Sequence, residues 1–367
     1  MLLIWCSISG HGLGHAAQVV PVLNALGRRV QDIKAVLRTA VPSWFFEGRL
    51  SIPWEISPVE QDVGCVQRGP LEIDVAATWA KHLRFHAHWD SRVNDEVRAI
   101  RARAPNLLVS DISYLAIEAG ARAQVPTVGL CNLSWDLVLE LFLGHTGPGR
   151  QQGQTDERRL IQQMRRSYGM ADLMLRPAPG LQMNAFKKIV DIGPIAQPLV
   201  PDRSGLRQAV GAEAGEAVVL VGFGGITLDS LPFRQLERLR GYRFVISGPV
   251  PGGHRRTRST ASVPLPFGSL MASADIIVTK PGYSTIVEAV THSIPVVYVR
   301  RYNFADEASL VEYAHRYGRA AELSLDEFTA GRWQQALDAA RSASKPADAP
   351  PIPTGAAEAT HILASLL

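Results

Sequence analysis

Two histidines and three glycines crowd the stretch "SISGHGLGHAAQ", residues 7–18, directly behind the apolar opening Met1–Cys6. Glycine lets backbone come close to a ligand, and histidine is the side chain that exchanges a proton most readily near neutral pH. His11 lies within the glycine turn and His15 at the helix start that follows it, so both can face a cleft. A helix N-terminus disfavours the imidazolium, which predicts a lowered pKa and a neutral, proton-accepting ring for His15. His11, on the turn itself, is better placed to hydrogen-bond a substrate.

A second constellation is "ADIIVTKPGYSTIVEAVTHSIPVVYVRR", residues 274–301. A buried strand ends at Thr279, a Pro-Gly turn follows, and a helix begins near Tyr283. Free N–H groups and the positive dipole end make such a start, at Gly282, an anion site suited to a diphosphate. Ser284 and Thr285 add hydroxyl donors there, or Ser284 caps the helix. Glu288, one turn further in, can accept two hydrogen bonds from the vicinal hydroxyls of a ribose. "GFGG" at 222–225, with Gly224 and Gly225, offers another backbone cradle, and "NFADEASL" at 303–310 sets the acid pair Asp306 and Glu307 at a further helix start. Polar turns end two more strands, "VSDIS" at 109–113 and "CNLSWD" at 131–136. In them Asp111 can orient a histidine or bind acceptor hydroxyls, and Asn132, Ser134 and Asp136 can line the same cleft. Asp111 and Ser134 can equally serve as helix caps.

These residues need elements to carry them, and short apolar runs alternating with longer helical patterns supply them. Strands are expected at 2–8, 33–37, 107–110 and 127–131, with helical segments such as 72–104 between them. The pattern restarts after the proline-rich 193–205, with strands at 217–221, 242–246, 275–279 and 295–299. The expected architecture is α/β, two Rossmann-like domains facing across a cleft. Residues 1–193 form the N-terminal domain on the acceptor side, and 194–353 the C-terminal domain on the donor side. A final helix at 354–367, with Ile362, Leu363, Leu366 and Leu367 on one side, packs back on the first domain. The glycine turns and acid pair then fall at carboxyl ends of parallel strands, where open α/β sheets bind ligands.

Composition removes other classes. A net charge of +4 over 367 residues, without aromatic interleaving of the basic stretches, excludes a nucleic-acid groove. Cys6, Cys65 and Cys131 have no paired spacing, so neither a disulfide framework nor a cysteine zinc site is expected, and a cytoplasmic location fits. No apolar run spans a bilayer, and "WDLVLELFLG" at 135–144 offers either a peripheral membrane contact or a core helix. No two aspartates are separated by a single residue, and His82, His86 and His88 in "KHLRFHAHWD" lack a neighbouring glutamate, so no metal is expected.

Taken together, "GLGH", "GFGG", "ADIIVTKPGYSTIVEA" and the acid pair resemble the GT-B glycosyltransferases of the group that includes the lipid-linked N-acetylglucosaminyltransferase of peptidoglycan assembly. Across nearly the whole chain, "SGHGLGHAAQVV", "LLVSDISYLA", "CNLSWDL" and "KPGYSTIVEAVTHSIPVVYVRRYNFADE" resemble the amino-terminal region of plant L-arabinokinases. Nothing resembles the glycine-serine ATP loop of their kinase domain, so that activity is not carried over. The resemblance implies an inverting, metal-independent hexosyl- or N-acetylhexosaminyltransferase with no cofactor. Its partners are a nucleoside diphosphate sugar, a UDP-sugar first, and an unidentified acceptor. Gly224, Gly225, Gly282, Ser284 and Thr285 hold the diphosphate in that reading, Glu288 the ribose and Phe267 the base. Asp306 and Glu307 take sugar hydroxyls, although the peptidoglycan enzymes carry glutamine where Glu307 stands. His15 is the base, with Asp111 its partner, and His11, Asn132, Ser134 and Asp136 meet the acceptor. An epimerase or hydrolase of the same fold, or a non-catalytic sugar-nucleotide sensor, is the alternative.

Overall fold

Runs such as "LLIWCSI" and "AVVLV" are apolar at nearly every position, the pattern of strands covered by helices on both faces. A computed structural model describes residues 1–144, 151–225 and 231–367, and these runs form the centres of two parallel sheets. The first sheet contains β1 (Leu2–Ile8), β2 (Ile33–Thr39), β3 (Trp54–Pro58), β4 (Leu107–Asp111), β5 (Thr127–Leu130), β6 (Leu173–Pro177) and β7 (Ile189–Ile192). Its order is β3-β2-β1-β4-β5-β6-β7. The second contains β8 (Ala217–Val221), β9 (Tyr242–Ile246), β10 (Thr257–Ser259), β11 (Ile276–Thr279), β12 (Val296–Tyr298) and β13 (Ala320–Glu322), in the order β10-β9-β8-β11-β12-β13. Each sheet reverses its strand order beside its first strand, and ligands of open α/β sheets bind at such a reversal. Ile226 and Thr227, which end the "GFGG" turn's stretch, lie outside the described residues, as does Arg150 of the arginine-rich 150–159.

Two expectations are corrected. The helical pattern over 72–104 is divided into Val75–His86 and Trp89–Arg103. The first packs on the Gln151–Tyr168 helix and the second on Tyr114–Ala123, so the chain turns at Ala87 and His88 to serve both. The last helix, Gly355–Ala364, lies on the Gly14–Arg29 helix, yet its buried face is Gly355, Ala359, Thr360 and Leu363, while Leu366 is exposed. Close approach explains the small residues: a Cβ on Gly355 meets the Gly193 carbonyl oxygen at 2.0 Å.

The stretch 135–144 is mostly core, with Trp135, Val138, Leu139 and Phe142 buried and Leu141 exposed. Among the described residues no helix is long and apolar enough to cross a membrane. All three cysteines are buried and unpaired. What positions the site is the contact between the Gly14–Arg29 helix and the Tyr283–Thr291 helix, which brings the two glycine turns together.

Candidate active site

β1 and β4 are neighbours, with Ile8 beside Asp111, so the end of β4 lies next to the turn that leads to His15. Asp111 Oδ1 is 3.0 Å from His15 Nδ1, and the carboxylate is fully buried. It does not cap the following helix; Ser113 does, accepting from Ala116 N–H. With Nδ1–H donated to Asp111, the neutral ring turns the Nε2 lone pair to the cleft, where Nε2 has no partner among the described residues. Burial pulls the His15 pKa down, but the Asp111 charge and hydrogen bond, backed by Asp62 and Asp306, raise it above the ordinary value. The expected lowering by the helix start is therefore reversed: a full charge at hydrogen-bond distance outweighs a partial one.

His11 faces the same cleft. Its Nδ1 accepts from Cys65 N–H at 3.3 Å, and burial with the Lys280 charge holds its pKa well below the ordinary value. Trp135 walls both histidines, 5.2 Å from His11 and 5.8 Å from His15 between ring centroids. Its indole N–H is fixed on Asp62 at 2.8 Å, a buried carboxyl that burial pushes up to about 6.

The two domains meet across this wall. Ser284 Oγ donates to the Gly14 carbonyl at 3.1 Å, and Leu13 N–H reaches the Gly224 carbonyl at 3.4 Å. Gly225 has φ +83°, and a Cβ there meets Leu13 Cδ1 at 2.8 Å, so both backbone and space demand glycine. A buried chain of amides also crosses: Gln18 Nε2 donates to Asn132 Oδ1, and Asn132 Nδ2 to Asp306 Oδ2, each at 3.0 Å. Asp306 Oδ1 is buried without a partner among the described residues, and burial raises the pKa of this carboxyl.

The structure adds cations that the motifs do not announce. Lys280, immediately before the Pro281-Gly282 turn, lines the cleft, and among the described residues its ammonium has no hydrogen-bond or ion-pair partner. Burial, then Arg301, brings its pKa down to about 7. Arg301 sits 4.0 Å over the Phe304 ring, and the pair closes the cleft from the C-terminal side.

Two cavities share Gly14, Gly224, Ser284 and Thr285 as common wall. One, about 100 Å³, holds His11, His15, Asn132, Lys280, Arg301 and Asp306. The other, about 370 Å³, holds Gly225, Phe267 and Glu288. Glu288 is half-buried, and burial raises its carboxyl to about 7.

Of the expected site residues, Asp111 reaches this cleft only through His15, and Ser134, Asp136 and Glu307 do not line it. Ser134 Oγ donates to Asp136 Oδ1 at 2.6 Å, Asp136 Oδ2 accepts from Arg165 at 3.0 Å, and both residues are buried in the domain interior. Glu307 does not line the cleft: its carboxylate accepts from Arg301 Nε at 2.6 Å and from the Arg301 and Tyr302 backbone N–H groups at 3.0 Å. A carboxylate rather than an amide at 307 thus matches its cationic neighbour. The histidine cluster serves packing: His82 Nε2 bonds the Gly64 carbonyl at 2.8 Å, His86 stacks on Trp89 at 4.9 Å, and His88 is exposed. Among the described residues, His15, Asp111 and Cys131 alone bring three metal-donor atoms within 4.8 Å of one another. Burial, then Asp111, drives the Cys131 thiol well above its ordinary pKa, which keeps it a thiol.

The fold, two parallel-sheet domains meeting across a seam, has counterparts of known structure. The calicheamicin glycosyltransferase CalG4 superposes with a TM-score of 0.61 at 15% identity, over 100% of this chain and 95% of its own. UGT2 of Phytolacca americana, solved with UDP-2-fluoro-glucose and pterostilbene, gives 0.60 at 15%, over 100% and 94%. The spinosyn rhamnosyltransferase SpnG, solved with thymidine diphosphate, gives 0.59 at 14%, over 100% and 96%. The fold is GT-B. Among curated proteins, the L-arabinokinase of Arabidopsis thaliana is 27% identical over 343 residues, 91% of this chain. The chain spans about a third, 32%, of that protein's length. No family model matches.

Proposed function

We propose that this GT-B protein transfers a sugar from a nucleoside diphosphate sugar, a UDP-sugar first, to an acceptor hydroxyl, with inversion and without a metal ion. The observation that carries the reading is the His15–Asp111 pair, at 3.0 Å, facing the Gly282 helix start and the unpartnered Lys280 ammonium across one cleft. A base on one side and an anion receiver on the other are what a single displacement at an anomeric carbon needs.

His15 Nε2 takes the proton of the acceptor hydroxyl, whose oxygen forms the new bond to the anomeric carbon. The bond from that carbon to the diphosphate oxygen breaks on the opposite face, and its electron pair leaves with the diphosphate. Amide N–H groups at Gly224, Gly225 and the Tyr283–Thr291 helix start, the Thr285 hydroxyl, Lys280, and the Ser284 hydroxyl once it exchanges the Gly14 carbonyl for the diphosphate, receive that charge. Asp111 holds the tautomer and stabilises the imidazolium. Asp306, with its free buried oxygen, takes a hydroxyl of the sugar, while Asn132 holds Asp306 in place and His11 meets the acceptor. Glu288 takes the ribose and Phe267 the base. Residues 1–193 carry the acceptor side and 194–353 the donor side, with the last helix returning to the first domain. A reducing compartment such as the cytoplasm suits the three unpaired thiols.

The nucleotide partners printed for UGT2 and SpnG, a UDP-sugar and thymidine diphosphate, set the first probes. Thermal-shift and calorimetric screening of UDP, dTDP, GDP and CDP, followed by product analysis with the matching sugars and an acceptor panel, tests the proposal. A new glycoside is the expected product. Free sugar without acceptor marks a hydrolase, and binding without turnover marks a sensor.

A further inference from the structure

Phe267 and Glu288 occupy the C-terminal wall of the 370 Å³ cavity, and the facing wall belongs to the N-terminal domain. That wall carries Trp44 and Arg49, from the turn after β2. Trp44 is 55% exposed, whereas Phe45 and Phe46, the next two rings in the chain, are 6% and 0% exposed. The contrast is built into the turn. Phe45 and Phe46 meet edge to face at 5.5 Å, and Phe46 lies 5.9 Å from Trp54. The Arg49 guanidinium covers Phe45 at 4.8 Å and donates to the Phe45 carbonyl at 3.0 Å. A short helical turn at Ser43–Phe45 is thereby anchored with one indole left outside the core.

Tryptophan is rarely left this open, and Phe267 on the opposite wall is 41% exposed. One exposed ring on each wall of a single cavity suits a flat aromatic ligand. We infer that the donor nucleoside is held between the two domains, with its base against Trp44 of the N-terminal domain on one side and Phe267 on the other. This rests on the nucleotide reading above and adds that the nucleotide itself bridges the domains. Trp44 is then a determinant of donor affinity that works from the acceptor side of the cleft.

Trp44 is the one exposed tryptophan of seven, so the part of a nucleotide-induced quench that Trp44→Phe removes reports on this wall. UDP and dTDP are titrated into the full chain with emission and calorimetry recorded together. Quenching by the nucleotide that binds is expected for the native protein. Trp44→Phe should bind within about threefold of native yet lose most of the quench, and Trp44→Ala should bind about tenfold more weakly, as loss of a base-stacking ring does. Native affinity in Trp44→Ala, or an undiminished quench in Trp44→Phe, overturns the inference and leaves a donor site confined to the C-terminal domain. Failure of the native protein to bind any nucleoside diphosphate removes the donor reading and this inference with it.

Discussion

Asp111→Asn is the change that separates the charge of the histidine-carboxylate pair from its geometry. Asparagine keeps an oxygen that can accept from His15 Nδ1–H at the present 3.0 Å, so the tautomer is retained while the negative charge is lost. Asp111 is fully buried, so water does not replace that charge. A hydrogen bond to a charged group is worth about 1.5 to 3 kcal/mol, and the imidazolium exists only as the acceptor proton is taken. Turnover should therefore fall about 10- to 150-fold, with little change in donor affinity. The pH profile carries a second signature. In the native protein the carboxylate raises the His15 pKa, and activity is lost as pH falls through it, because the base is then protonated. Without the carboxylate, burial dominates, so the acid limb should move to lower pH even as the plateau drops. Steady-state kinetics from about pH 5 to 9, beside a melting curve, provides the assay. A folded Asp111→Asn protein with near-native turnover and an unmoved acid limb would refute the charge argument.

Glu288→Ala should weaken nucleoside diphosphate binding by about 1.5 to 3 kcal/mol and leave the melting temperature near native; calorimetry that finds equal affinity removes the ribose assignment. Lys280→Met should weaken donor binding and abolish an alkaline limb: the Lys280 pKa is brought down to about 7, so the native protein should lose donor affinity as pH rises through that value, and a profile identical in the variant contradicts this. Activity should survive EDTA, since the helix start and Lys280 stand where a cation would; loss on chelation, restored by magnesium or manganese, turns attention to His15, Asp111 and Cys131.

The runs that are apolar at nearly every position are legible as strands from the sequence: β1, β8 and β9 have the bounds that their patterns give. β3, β10 and β13 lie at sheet edges, are short or mixed in polarity, and carry no such pattern, and β6 and β7 are likewise outside the runs that stand out. The glycine turns and helix start that surround the cleft were legible because glycine and proline mark backbone directly. Partners are legible only in part: the sequence suggests Asp111, 96 residues away, as a partner for His15, whereas Asn132 and Asp306, 174 apart, are paired only by the meeting of the domains. Lys280 sits inside a motif already singled out, yet a lone lysine reads as solvated until the fold buries it. Glu307 shows the reverse: its place in an acid pair suggests a ligand, and the buried Arg301 takes it instead. Ser134 and Asp136 follow the same logic, with Arg165 as the competitor.

The central claim, that a base on the N-terminal domain acts on an acceptor while the C-terminal domain holds a nucleoside diphosphate sugar, is tested most directly by acceptor-dependent release of nucleoside diphosphate in native and His15→Ala proteins. The account predicts release that requires both the sugar nucleotide and an acceptor hydroxyl, with turnover cut by about 10² to 10⁴ in a folded His15→Ala protein whose donor affinity is unchanged. Release that is indifferent to acceptor, or as fast in His15→Ala as in the native protein, would contradict it.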